Sequence, residues 1–583
     1  MRINVTRSAL DRWSVLTIVV LPIVLVVIND NWLFIDPRVL INDPWIYSGF
    51  HLHLPEFLKR FGGTYYASRV PWIISGWLLH AVFDDERAFY ILHFAFIYLA
   101  LFSLYLAVRT IFDSAVGAAA GALLMGADLY FLVAAGWDYV DGPANAFLLA
   151  GLAALAGAAI RSRWRLMAFL WGMTTCATVS LYILLAVLVP VQIGLFLLLN
   201  RVRGRRPVLS VAAFFAAGNA AAMLLFGLLN WLLGGPFLYI LSQILALQAV
   251  AQNRVLHYRP ILEWAWGAHW LLVTAIVFAF ACAYALMHVQ SAARRIREGR
   301  LAPDVETALF ICCVADIAAT LVFAGLEVDQ FYLLQMYYRA NALLPFVYLA
   351  TGGALAVAVK PLALPRQAVF LGMAAIIAVM PWVLVSVGHV LPAWTLFDPP
   401  ALELGWIVAG ALVWLLAVVA GPAFRLGRAV VAVLILSAVN LGVNASDLEH
   451  PPSALYKAET LSIFDASRAI APFNADVRAR FWYDGKAAEG AVFKAIATTY
   501  LYEYSLVNED FPRLPAIDGQ TKPISPGERI IVLAPANEDA IAAANAAVAG
   551  QGLAFAKVAK IDIRRRGVAF DVTIADVKRD PAK

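Results

Sequence analysis

The sequence predicts a multi-pass α-helical membrane protein with about 13 transmembrane helices and a C-terminal exported α/β domain. Three observations carry this. Of the 583 residues 62% are hydrophobic and 14% charged, where an ordinary soluble domain has about 25% charged. Apolar runs recur along the first 444 residues, most of them long enough for a bilayer core of ~30 Å. From about Ala445 the long apolar runs cease and the composition turns ordinary. The domains are therefore 1–444, membrane-embedded with a large first outer loop at 29–88, and 445–583, a periplasmic α/β domain.

Spans are expected near 13–29, 89–108, 114–132, 143–160, 166–179, 182–199, 208–230, 270–289, 305–324, 341–359, 367–388, 405–420 and 429–444. The first is an anchor rather than a cleavable signal peptide, because its apolar core from Trp13 to Ile28 is long and no small-residue cleavage pattern follows. Between the first two spans, the stretch from Pro71 to Phe83 has thirteen apolar-leaning residues. A crossing needs about 20, so it is expected to lie in the bilayer surface, with Trp72 and Trp77 at headgroup level.

Basic residues set the orientation. With the N-terminus cytoplasmic, 19 of the 27 Lys and Arg residues before 445 fall on the inside and 8 on the outside, as the positive-inside rule requires. An odd number of spans then places the tail outside, which for a bacterial inner membrane is the periplasm. The net charge of +5 reflects these short basic loops and not a nucleic-acid face. The four cysteines lie in apolar runs, which excludes a disulfide framework or a thiolate metal site.

The tail reads as helix (453–470), strand (477–483), helix (490–505), a Pro-rich loop (511–527), strand (529–534), helix (538–549) and two strands (553–564, 567–577). Asn537 is the expected N-cap of the last helix, with Gly550 and Gly552 ending it.

Polar chemistry concentrates in the outer loops. Asp43, in Asn42-Asp43-Pro44-Trp45-Ile46-Tyr47, is a carboxylate among aromatics. It suits a general base, a divalent-cation ligand, or an Asp-Pro turn like Asp36-Pro37. Asp138 and Asp141 stand three apart at a helix start, where both can share one side of the first turn. Asp141 before Gly142-Pro143 also reads as an N-cap. Arg69, Arg254, Arg259 and Arg339 sit beside aromatics or span ends, and guanidinium matches phosphate oxygens in pairs. His257 beside Arg259 is a phosphate or metal candidate. His51 and His53 are read as a solvated pair, and Asp84-Asp85-Glu86 as a solvated helix end. Asp316, within a span, is a functional candidate by default.

In order and motif the chain resembles the GT-C glycosyltransferases, the polyprenyl-phosphate-sugar-dependent enzymes, and within them the bacterial mannosyltransferase-like group with its aminoarabinose and galacturonosyl transferases. The likeness covers roughly residues 10–360. It rests on Asp43-Pro44-Trp45-Ile46-Tyr47, Tyr65-Tyr66-Ala67-Ser68-Arg69-Val70-Pro71, Asp141-Gly142-Pro143, and Tyr332-Leu333-Leu334 with Tyr337-Tyr338-Arg339 before a span containing Pro345. Asp43-Pro44 departs from the Asp-Glu frequent in that family.

The resemblance implies a membrane glycosyltransferase. Its donor is a polyprenyl-phosphate-linked sugar whose phosphate is held by Arg69, Arg259, Tyr338 and Arg339. Asp43 activates the acceptor hydroxyl or orients the sugar, Asp141 assists, and Asp138, His257 and Tyr47 are secondary candidates. The acceptor is a glycolipid or glycan such as lipopolysaccharide or lipid A. The anomeric centre inverts, and no cofactor is required, with a divalent metal left open. The rival reading is a transporter or flippase of lipid-linked sugars, which predicts broken helices and acids inside spans. A non-catalytic anchor for the tail would not need so many spans.

Overall fold

The computed structural model describes residues 6–30, 32–38, 42–252, 305–328, 341–388, 453–474, 479–501, 506–514, 523–536 and 538–580. The expected spans at 270–289, 405–420 and 429–444 lie outside the described residues.

Helix α1 (Arg7–Ile28) is capped by Thr6, whose hydroxyl accepts from the Ala9 N–H. The expected surface stretch is helix α3 (Val70–Val82), started by Pro71 in its first turn, where a missing N–H costs nothing. Between them lies a helix the sequence analysis does not anticipate, α2 (Asp43–Phe61). It bends at His53, as Pro55 has no N–H to give and its ring pushes on the preceding turn. Helix α4 (Asp85–Phe112) is capped by Asp84.

The expected span at 114–132 is broken into α5 (Ala115–Gly126) and α6 (Leu129–Gly136), bent by 68°. The Asp128 carboxylate accepts from the N–H groups of Tyr130 and Phe131, so it starts a new helix where hydropathy alone reads a continuous one. Then follow α7 (Asp141–Ile160), α8 (Trp164–Leu181), α9 (Val189–Leu199), α10 (Val208–Leu232) and α11 (Leu241–Gln252). Helices Val305–Val328, Leu344–Val359 and Leu364–Gly388 match three further expected spans. Among the described residues five helical stretches are long and apolar enough to cross a bilayer, or six with the bent pair counted as one.

The C-terminal part is an α/β unit. Its five-stranded sheet has the order β2-β1-β3-β5-β4, from β1 (Ala479–Tyr483), β2 (Leu506–Asn508), β3 (Arg529–Pro535), β4 (Leu553–Arg565) and β5 (Val568–Arg579). β1 runs parallel to β2 and β3, while β3–β5 and β4–β5 are antiparallel. The short β2 falls before the expected Pro-rich loop and escapes the pattern. Helix Ala540–Val548 is capped by Asp539, which replaces the expected Asn537 cap; Asn537 itself lies outside the described residues.

Strand side chains alternate between two cores. Phe481, Tyr483, Ile531, Leu533, Val572 and Ile574 face the helical body together with helices Ser453–Asn474 and Gly490–Thr499. Trp482, Ile530, Val532 and Val577 face helix Ala540–Val548 on the other side. The sheet's first core is continuous with the core of the membrane helices, so the unit is seated on them and not tethered.

Candidate functional site

Helix α2 begins at Asp43, an acid in a first turn where free N–H groups favour negative charge. Two phenols converge on it. The Tyr66 hydroxyl donates to Asp43 Oδ1 at 3.1 Å and the Tyr139 hydroxyl to Oδ2 at 3.2 Å. Tyr47, one turn into α2, packs edge-on against both rings at 5.8 and 5.9 Å. Burial pushes the Tyr47 and Tyr139 hydroxyls well above the usual phenol range, for Tyr139 with the charges of Asp43 and Asp141 adding to it. Both phenols therefore stay protonated. Asp141 is the first residue of α7 and not its N-cap; Val140 holds that position.

The tyrosine wall continues to Arg69. Tyr65 stacks edge-on against Tyr66 at 5.6 Å, and the Arg69 guanidinium lies 4.1 Å above the Tyr65 ring and 5.7 Å from that of Tyr182. Arg69 is fully buried. Its Nη1 donates to the Leu181 carbonyl and, at 2.7 Å, to Gln243 Oε1. Gln243 is fixed in turn, donating to the Ser68 and Ser180 carbonyls. Among the described residues Arg69 Nε and Nη2 have no hydrogen-bond partner. Those two atoms form the guanidinium edge that grips an oxyanion with two parallel bonds. A buried cation with that edge open is costly, and an anionic ligand removes the cost.

Asp138 points elsewhere. Its Oδ2 accepts from the Ser48 hydroxyl at 2.6 Å and lies 3.8 Å from His51 Nδ1, while Oδ1 meets His93 Nε2 at 3.0 Å. Burial opposes its charge, but the His93 hydrogen bond and the nearby imidazoles hold its carboxyl at about 2. Asp138 lies in the connection before α7, which begins at Asp141, so the two acids do not occupy one helical turn.

The histidines correct the solvated reading. His51 is buried, packed edge-on against Trp72, and burial pulls its pKa down to about 3. His53 meets the Ser467 hydroxyl at 3.0 Å, against the α/β unit. The acidic run is a helix end with Asp84 its exposed N-cap, as expected, but Asp85 is drawn into contacts, binding His80 Nδ1 at 2.7 Å and Arg468 at 2.6 Å. These partners lie up to 414 residues away in the chain, beyond any local pattern. Asp316 is buried within helix Val305–Val328.

Arg259, His257, Tyr338 and Arg339 lie outside the described residues. Asp43, Tyr47 and Arg69 are brought together, joined by Tyr65, Tyr66 and Tyr139, and Asp141 acts on Tyr139. Tyr47 is among the expected candidates, whereas motif reading assigned Tyr65, Tyr66 and Tyr139 no role of their own. Tyr65 and Tyr66 were visible only as a pair, and Tyr139 is flanked by the two acids that drew attention.

On one side of Asn42 and Trp45 a cavity of about 520 Å³ opens between the first loop and the α/β unit. Arg38 lines it from the loop, and Lys486, Lys494 and Thr498 from the unit.

Fold and site together define a multi-pass helical membrane protein with a buried acid–tyrosine–arginine site beneath an α/β unit. No family model matches the chain and no curated protein matches it. Among solved structures it is similar to ArnT from Cupriavidus metallidurans bound to undecaprenyl phosphate, with 14% identity over 96% of this chain and 98% of that one and a TM-score of 0.44. The apo state of the same protein gives 14% identity over 98% of each chain and a TM-score of 0.42. The Archaeoglobus fulgidus oligosaccharyltransferase in complex with zinc and sulfate shares 14% identity over 84% of this chain and 62% of that one, with a TM-score of 0.35.

Proposed function

We propose that the protein is a membrane glycosyltransferase that moves a sugar from a polyprenyl-phosphate donor to a hydroxyl of a glycolipid or glycan. The observation that carries this is the open Nε/Nη2 edge of buried Arg69, joined through a wall of tyrosines to a carboxylate that two phenols hold. An anionic leaving group and a general base are the two needs of such a transfer.

In the proposed reaction the donor phosphate lies on the Arg69 edge, with Arg259, Tyr338 and Arg339 as further ligands. Asp43 takes the proton of the acceptor hydroxyl. The acceptor oxygen attacks the anomeric carbon from the side opposite the phosphate, and the bond to the phosphate oxygen breaks with its electron pair leaving on phosphate. The configuration inverts. Tyr66 and Tyr139 donate to Asp43 and orient it until the acceptor arrives. Asp141 supports the Tyr139 side. The cavity of about 520 Å³ beside Asn42 is the acceptor's approach. With the N-terminus cytoplasmic, that approach faces the periplasm, where lipopolysaccharide or another envelope glycan is reached. The scheme uses no cofactor, and membranes stripped of divalent cations by chelator are expected to keep their transfer activity.

The test is a comparison of surface glycolipids from cells with and without the protein. Loss of one sugar substituent, restored by wild type and not by Asp43→Asn, is the expected result, with a rate loss of about a hundredfold or more. Unchanged glycolipids overturn the reading. The bend at Asp128 between α5 and α6 and buried Asp316 favour a second reading, a flippase of lipid-linked sugar. Accumulation of the donor lipid on the inner leaflet would select it.

A further inference from the structure

Residues 137–140 carry Tyr139 to Asp43, yet they belong to no helix or strand. The backbone of this connection bonds to nearby residues, Trp137 N–H to the Val133 carbonyl, Tyr139 N–H to the Trp137 carbonyl and Ala144 N–H to the Val140 carbonyl. The side chain of Asp138 adds hydrogen bonds to two other elements. It ties the connection to α2 through Ser48 and to α4 through His93. Ser48 lies one residue after Tyr47, so the same carboxylate ties together two of the three elements that bring phenols to the site, the third being the Tyr65-Tyr66 segment.

The hydrogen atoms can be counted. His93 Nδ1 faces the Ala135 carbonyl at 2.8 Å, which can only accept, so Nδ1 carries a proton and donates. Nε2 faces Asp138 Oδ1 at 3.0 Å, and that contact needs a proton of its own. The pair therefore holds one proton between Nε2 and Oδ1, giving an imidazolium–carboxylate pair or its neutral equivalent. Either way it buries no net charge. The nearest other titratable group is His51 on α2, with His80 of α3 stacked behind it at 6.0 Å.

We propose that Asp138 and His93 are positioning residues, a buried proton-sharing pair that sets the reach of Tyr139 to Asp43 and so controls the rate of sugar transfer. The inference rests on the transferase reading for its kinetic consequence and on geometry alone for its structural one. Neither residue touches substrate; each acts through Tyr139.

Four variants test it: Asp138→Ala, Asp138→Asn, Tyr139→Phe, and the double variant Asp138→Ala/Tyr139→Phe. In the membrane assay that reads the missing glycolipid sugar, Asp138→Ala is expected to slow transfer about ten- to a hundredfold, as misplacement by about 1 Å does. Binding of undecaprenyl phosphate should be unchanged, because Arg69 is untouched. Asparagine can donate to His93 Nε2 and accept from Ser48, so Asp138→Asn is expected to rescue most of the loss. The double variant should be no slower than Tyr139→Phe alone, since residues acting through one another are not additive. Additive losses, or equal losses in Asp138→Ala and Asp138→Asn, overturn the proposal. Hydrogen exchange over 136–142 gives a readout independent of activity. It should accelerate in Asp138→Ala and return to wild type in Asp138→Asn. Unchanged exchange in Asp138→Ala sinks the positioning role even in a protein that proves to transfer no sugar, while lost transfer with wild-type exchange assigns Asp138 a direct chemical role instead.

Discussion

At the scale of single residues, the open edge of Arg69 decides the chemistry. Nη1 is occupied by the Leu181 carbonyl and Gln243, so only Nε and Nη2 remain for a ligand, and a lysine in this place would offer neither in the fork geometry. Under the proposed reading, Arg69→Lys is expected to weaken binding of a polyprenyl phosphate about ten- to a hundredfold, measured by calorimetry in detergent. An affinity equal to wild type would show that the phosphate sits elsewhere. Residues of this kind were legible in the sequence, since an acid or an arginine between aromatics near a span end has few ordinary uses. The histidines were not. His51 and His53 stand two apart, which on an exposed helix means divergent faces. The partners that bury them, Trp72, Asp138 and Ser467, come from three other parts of the chain.

At the scale of elements, close packing depends on two glycines of the first connection. A Cβ on Gly76 of α3 would lie 2.2 Å from the His51 ring, and one on Gly49 of α2 would lie 1.9 Å from the Thr499 carbonyl oxygen. Gly76→Ala must displace an imidazole that fills its pocket, and a loss of about 1–3 kcal/mol follows from overpacking. Gly49→Ala meets backbone, which yields less. It is expected to lower the thermal midpoint of the purified protein by more than Gly76→Ala does, and the reverse order would mean that the α/β unit moves aside freely. Helix periods along the spans were readable because apolar length alone decides them. Helix α2 was not, as it contains Pro44 and Pro55 and carries His51, His53, Glu56, Lys59 and Arg60 on a stretch without a span's hydropathy. The break at Asp128 was missed for the opposite reason: a hydropathy window averages over one acid, although that acid caps a new helix.

At the scale of the whole molecule, the α/β unit sits on the helical body through a shared apolar core, with polar contacts that fix its place. These include Arg38 with Glu459 at 2.6 Å, Arg468 with Asp85 at 2.6 Å, and His53 with Ser467. Most of the succession of helices and strands along the unit was readable from its local pattern, whereas the sheet order and the seating were not, since each seating contact joins residues more than 380 apart. One of these contacts makes the seating depend on pH. Burial, helped by the charge of Arg468, pulls His53 from its ordinary 6.5 down to about 4. When the unit lifts off, His53 regains water and its ordinary value. Between those two values the released state binds a proton that the seated state does not, so seating weakens as pH falls below 6.5 and the loss levels off below 4. The full difference is at most about 3 kcal/mol. Glu459 acts in the opposite sense, because burial raises its carboxyl pKa, but only near the carboxylate range. Hydrogen exchange in helix Gly490–Thr499, corrected for the intrinsic rate, should therefore show protection falling from pH 7 to pH 5 in wild type. His53→Gln, which cannot gain a proton, should show a flat profile over the same interval. An equal slope in both proteins would place the titrating group elsewhere and remove His53 from the seating of the unit above the site.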